Sequence, residues 1–148
     1  MDHVAIMKKE WQLLPKILSG EKKIESRWYQ NKVAPWDRVK AGETVYFKNS
    51  GEPVTLKALV ENVLQFADLT PTKIETLVSQ YGQKIAFVEP TTASKSLQGK
   101  RYAILIFLTQ PQVLEKPFAI DKKGFGVMSA WLVVPDINLL KKAKHLAP

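Results

Sequence analysis

The sequence predicts an α+β domain, a compact mixed barrel of short strands with a few helices. Three observations lead there. Apolar and polar residues alternate over several short runs, clearest in Thr44–Lys48, Val54–Phe66 and Arg101–Thr109. Helix signals are few, the best being Thr70 followed by Pro71, a cap and a first helical position. Strands and helices do not take turns as a doubly wound parallel sheet requires. At 148 residues the chain is long enough to bury a substantial core and reads as one domain, 1–148.

Each element follows from local chemistry. Val4–Met7 reads as a first strand. The apolar run Trp11–Leu18 reads as a short helix that stops at Gly20, because glycine takes the left-handed cap conformation without steric cost. The next residues alternate like a strand, with Lys23, Glu25 and Arg27 on one face and Ile24, Ser26 and Trp28 on the other. Residues 30–38 are irregular. Lys40–Glu43 is a turn into the strand Thr44–Lys48, and Asn49–Pro53 is the turn into a long bent strand, Val54–Phe66. The helix begun at Pro71 runs to about Gln80 and stops near Gly82. A strand is expected around Ile85, then a Thr/Ser-rich turn and a short helical turn before Lys100. Gln110–Gly124 reads as a long polar connection, Phe125–Val134 as a last strand, and Ile137–His145 as a short basic helix.

Composition narrows the function. A formal net charge of +8 makes polyanions the leading partner class, nucleic acid first among them. The apolar run Ile104–Leu108 is far short of the roughly 20 residues that span a bilayer, so no membrane association is expected. The N-terminal residues lack the basic-then-apolar order of a secretory signal, and there are no cysteines. Both fit a cytoplasmic protein. The two histidines, His3 and His145, lie near opposite termini and read as surface or end-cap residues. A Ser-His-Asp site or a histidine metal site is therefore not expected, nor is any cofactor. No phosphate-binding loop is present, and Gly124-Phe125-Gly126 is too short to be one.

The remaining chemistry gathers in Ser19–Tyr29. Lys22 beside Glu25 is either a pair in which a lysine screened from water acts as a base, or an ion pair that holds the helix-to-strand turn. Arg27 offers a phosphate ligand, and Trp28 and Tyr29 offer stacking surfaces. Trp36, Tyr46 and Trp131 are either core residues or further stacking surfaces. Ser129 and Ala130 beside Trp131 leave room for a flat ligand.

The pattern Gly20-x-Lys22-x-x-Glu25-x-Arg27 after a short helix resembles the signature of the ASCH domain, a member of the PUA-like superfamily. Lys40–Phe47 and the turn Asn49-Ser50-Gly51 resemble the strand that follows in that family. The resemblance covers about residues 3–66 and extends to residue 134. It implies a PUA-like β-barrel of about six strands flanked by short helices, with a cleft lined by the motif that binds RNA or a nucleoside. Some small ASCH proteins are amidohydrolases of acetylated cytidine, and others are reported as ribonucleases. In the amidohydrolases a threonine stands three residues after the lysine, whereas this chain has Glu25 there.

The leading expectation is an RNA- or nucleotide-binding module with a polar and aromatic pocket for a base, modified or not. The residues expected to bind are Lys22, Glu25, Arg27, Trp28, Tyr29, Trp36, Lys48, Asn49, Ser50, Ser129 and Trp131. The alternative is a hydrolase, of ribonuclease or nucleoside amidohydrolase type, with Lys22, Glu25 and Tyr29 as its catalytic groups. A third reading is a regulatory domain for a small metabolite.

Overall fold

The structure is a computed structural model, and it describes residues 1–126 and 128–142. Six strands form one mixed sheet: β1 (Asp2–Met7), β2 (Ile24–Tyr29), β3 (Thr44–Asn49), β4 (Val54–Phe66), β5 (Tyr102–Phe118) and β6 (Trp131–Val134). Their order across the sheet is β2-β5-β4-β3-β1-β6. All neighbours are antiparallel except β1 and β3. The sheet curls as a half-barrel, and side chains close the gap between its two ends. Arg27 of β2 reaches the far end and donates to the carbonyls of Ala130 at 3.3 Å and Ile6 at 3.4 Å.

Three helices accompany the sheet: α1 (Leu13–Ser19), α2 (Pro71–Ile85) and α3 (Pro90–Ser96). Gly20 ends α1 with φ +84°, as its position predicts, and the Lys22 amide then donates to the Lys16 carbonyl. Thr70 caps α2 through its side-chain oxygen, with Pro71 in the first turn. Ile24 and Trp28 on one face of β2 pack with Ile74, Leu77 and Val78 of α2. On the other side the barrel core gathers Ala5, Val45, Phe47, Ala58, Ile104 and Ile106. A third cluster, including Val4, Val54, Leu132 and Ile137, lies under the C-terminal segment. No helix among the described residues is long and apolar enough to cross a membrane.

Several expectations are corrected. Ile85 is the last residue of α2 rather than part of a strand; Gly82 sits inside the helix, packed near Phe87 and Val78. The polar stretch after Thr109 is no connection. It continues β5 to Phe118, because its backbone pairs with β4 from Val54 to Lys57; most of its side chains face solvent, while Leu114 and Phe118 pack on the core. The last strand is confined to Trp131–Val134. In place of a C-terminal helix there is a single 3₁₀ turn, Ile137–Leu139, followed by a bridge from Lys141 to Ile120. The rest of the expected helix, with His145, lies outside the described residues. His3 is fully buried, since β1 runs between β3 and β6 in the interior of the sheet.

Candidate functional site

The turn from α1 into β2 delivers Lys22 to the C-terminus of α2. Its ammonium donates to the carbonyls of Ile24 and Ile85, both at 2.8 Å, and pairs with Glu25 Oε1 at 3.2 Å. An ammonium has only three hydrogens, so Lys22 is saturated. Ile85 ends α2, and a cation there satisfies a carbonyl that the helix leaves unpaired and meets the negative end of its dipole. Glu25 Oε2 accepts from Arg27 Nη2 at 2.9 Å, and Oε1 also accepts from the Ser26 amide at 3.1 Å. Lys22 and Glu25 are 3% and 4% exposed, so this is a buried pair rather than a surface one.

Burial pulls the Lys22 ammonium below the ordinary lysine value, with Glu25 resisting. Burial pushes the Glu25 carboxyl up, but Lys22 and Arg27 outweigh it and hold the carboxyl below the usual range. Glu25 is therefore a fixed anion between two cations. Burial raises the Tyr29 phenol.

A second chain of contacts meets Arg27 from the other side. Its guanidinium stands 5.2 Å from the centre of the Trp131 ring. Trp131 Nε1 donates to His3 Nδ1 at 3.0 Å, and His3 Nε2 lies 2.8 Å from Glu43 Oε1. An indole N–H can only donate, so Nδ1 is the acceptor and the proton sits on Nε2, directed at Glu43. This makes His3 neutral, and its burial pulls its pKa down as the same geometry requires.

Lys22 and Glu25 form part of the floor of a cleft of about 380 Å³ between β2 and the α2–α3 connection. Ser26 and Trp28 also line it; Phe87 and Val88 form the opposite wall, and Trp11 stands at its rim, 53% exposed. Ser26 Oγ accepts from Trp28 Nε1 at 2.9 Å, and its own hydroxyl hydrogen has no acceptor among the described residues. The cleft is thus aromatic on its walls and polar at its base.

The expected site residues divide among separate places. Lys22, Glu25 and Trp28 line the cleft. Arg27 does not line it but bonds to Glu25 from behind, and Trp131 is buried against His3. Tyr29 packs on the barrel core, as does Trp36, which meets Tyr102 edge to face with Lys32 nearby. Asn49 and Ser50 line a different depression with Lys9 and Gln12. Ser129 gives its carbonyl to Lys122 at 2.8 Å, and Lys48 is buried at the end of β3. Sequence reasoning missed Ser26, Trp11, Phe87 and His3. The parity of Ser26 with Trp28 was a usable signal for the first; the others depend on the tertiary fold.

No family model matches the sequence, and no curated protein does either. Solved structures do match. The crystal structure of ASCH from Zymomonas mobilis is 19% identical, with 93% of this chain and 90% of that one covered and a TM-score of 0.66. A serine-to-alanine variant of that protein gives 19% identity, coverage of 95% and 96%, and a TM-score of 0.66. A tyrosine-to-phenylalanine variant gives 20%, 90% and 89%, and 0.63. The curled six-strand sheet, its flanking helices and these likenesses agree: the chain has the fold of the ASCH structures.

Proposed function

We propose that the cleft beside β2 binds one base of a single-stranded RNA, or of a nucleotide, and that the basic surface supplies the remaining affinity. The observation that carries this is the pairing of aromatic walls with a polar floor. Trp28, Phe87 and the exposed Trp11 offer faces for a flat ring. At the base, the Ser26 hydroxyl can donate, and the Glu25 carboxylate, kept ionised by Lys22 and Arg27, can accept. A chain with a net charge of +8 adds attraction for phosphates.

The arrangement favours recognition over proton transfer at Lys22. Every hydrogen of that ammonium is engaged, and Glu25 is a weak base between two cations. A hydrolase reading needs a nucleophile, and Ser26 is the cleft hydroxyl that lies within the motif.

The test is a fluorescence titration of the protein with a short unstructured RNA at two ionic strengths, alongside Trp11→Ala and Ser26→Ala. Stacking is worth about 1–3 kcal/mol per base, so Trp11→Ala should weaken binding roughly ten-fold with the fold intact. Affinity should fall as salt rises. Product formation during the titration would select the hydrolase. Absent or salt-independent binding would select the small-metabolite reading.

A further inference from the structure

His3 lies outside the cleft, and the proposed base recognition gives it no role. It is 0% exposed, and both of its nitrogens are committed. Nε2 donates to Glu43 Oε1 at 2.8 Å, and Nδ1 accepts from Trp131 Nε1 at 3.0 Å. Trp131 is itself 4% exposed, and its ring centre stands 5.7 Å from that of the imidazole. The neutral imidazole is the one form that satisfies both bonds. A proton added at Nδ1 would face the indole N–H, donor against donor, in a place closed to solvent.

Trp131 passes this choice on. The Arg27 guanidinium stands 5.2 Å from its ring centre and donates to the carbonyls of Ala130, the residue before it, and of Ile6 on β1. The same guanidinium donates to Glu25 Oε2 at 2.9 Å. Glu25 Oε1 accepts from the Ser26 amide, and Ser26 Oγ accepts from the Trp28 indole at 2.9 Å. Contacts thus run unbroken from His3 to the floor and one wall of the cleft. The charged groups about His3 are few. Glu43 and Asp2 favour a proton on the ring, and the Met1 amine, which pairs with Glu43 at 3.2 Å, opposes it. The register neighbours of His3 on β3 and β6 are Val45 and Val133, which carry no charge. Burial outweighs the carboxylates and pulls the pKa below its ordinary value, in keeping with the neutral ring that the two bonds require.

We infer that His3 is a positioning residue for the cleft, acting through Trp131 and Arg27. Neutral, it holds the indole on which Arg27 rests, and Arg27 holds Glu25. On gaining a proton at Nδ1 it loses the indole, and Arg27 and Glu25 lose their fixed places. Base binding in the cleft therefore weakens as the solution turns mildly acidic. A histidine whose proton count selects between two packings is the kind of two-state element that couples separate sites. The weakening rests on the reading of the cleft as the base site; the relay from His3 can be followed without any ligand.

The experiment follows the indole N–H resonances of Trp131 and Trp28 in the free full chain from about pH 7.5 to about pH 5.0, at constant ionic strength. It compares the parent, His3→Gln and His145→Gln, the last removing the other histidine of the chain. Glutamine offers an amide oxygen to the indole and an amide hydrogen to Glu43, but it takes up no proton in this range. The Glu25 and Glu43 carboxyls are both held below their ordinary 4.5, so they stay ionised throughout. Both indoles should shift with one common midpoint below 6.5 in the parent and in His145→Gln, and stay level in His3→Gln. A short unstructured RNA, titrated at the two ends of the range, should bind the parent about five-fold or more weakly at the acid end, and His3→Gln equally at both. A merely structural role for His3 would lower stability without this profile. Trp131 shifting while Trp28 stays level would overturn the inference. So would the same shifts in His3→Gln, their loss in His145→Gln, or no shift at all. If His3→Gln does not fold, the common midpoint in the parent and His145→Gln decides. RNA that binds at neither pH removes the base reading alone, and the indole titration still decides the relay.

Discussion

Glu25 is the residue on which the buried charges depend. Its two oxygens hold Lys22 at 3.2 Å and Arg27 at 2.9 Å, at 4% exposure. An exposed pair contributes only about 0–1 kcal/mol, but removing one partner of a buried pair costs about 3–5 kcal/mol. Glu25→Gln should therefore lower the unfolding free energy by roughly 3 kcal/mol in a urea titration. An unchanged midpoint would mean that the pair is solvated. His3 gives a prediction in pH. Its folded pKa lies below its ordinary 6.5, so between those values the unfolded chain binds a proton that the folded chain refuses. Stability is therefore fully present above 6.5 and declines as pH falls towards the folded pKa. Melting temperature should drop between about pH 7.5 and 5.5, and His3→Gln should flatten that slope. Glu25 is depressed below its ordinary 4.5, so its contribution is lost only as pH falls below that value towards the folded pKa. A slope that survives in His3→Gln would assign the titration to another group.

At the scale of the element, the turn from α1 to β2 fixes the site. Gly20 has φ +84° with nothing within 4 Å of where a Cβ would stand, so a substitution there meets strain and no clash. Gly20→Ala should cost about 1–2 kcal/mol, read by chemical denaturation. A neutral result would show that the turn relaxes without moving Lys22. This turn was legible in the sequence because its signals are local: an apolar run, a glycine, then alternation. The cap at Thr70 was legible for the same reason. Other elements were not. The second half of β5 is polar and carries Pro111 and Pro117; what makes it a strand is its backbone pairing with β4, which leaves no mark in its own side chains. Ile85 was read as strand because Gly82 looked like a helix stop, whereas packing of α2 against β2 carries the helix past it. His3 was placed at the surface on its nearness to the terminus, but a strand flanked on both sides buries its residues wherever it falls in the chain. The bulge that leaves Thr55 of β4 unpaired opposite Phe47 and Lys48 is a feature of pairing and could not be read from one strand alone. The site was thus half legible: the segment Ser19–Tyr29 named Lys22, Glu25 and Trp28, but Phe87 and Val88 across from them come from the α2–α3 connection, about 60 residues later in the chain.

Across the whole molecule, the curled sheet separates three arrangements that the sequence had merged. The cleft lies between β2 and the α2–α3 connection, the His3–Trp131–Arg27 contacts tie the two ends of the sheet together, and Lys48 sits near the end of β3 opposite a bulge in β4. Glu25 joins the first two, since it faces the cleft while holding Arg27. Under the proposed function, the net charge of +8 predicts a salt-dependent contribution that does not depend on RNA sequence. In the proposed function, selectivity is assigned to the cleft lined by Ser26, Trp28, Phe87 and Trp11. The most direct test is to follow the backbone amide and indole resonances of the protein by NMR while a short unstructured RNA is added. Base binding in the cleft predicts shifts concentrated at Ser26, Trp28, Phe87 and Trp11, persisting at an ionic strength that abolishes the weaker surface changes. Shifts that spare the cleft and gather on another face would contradict it.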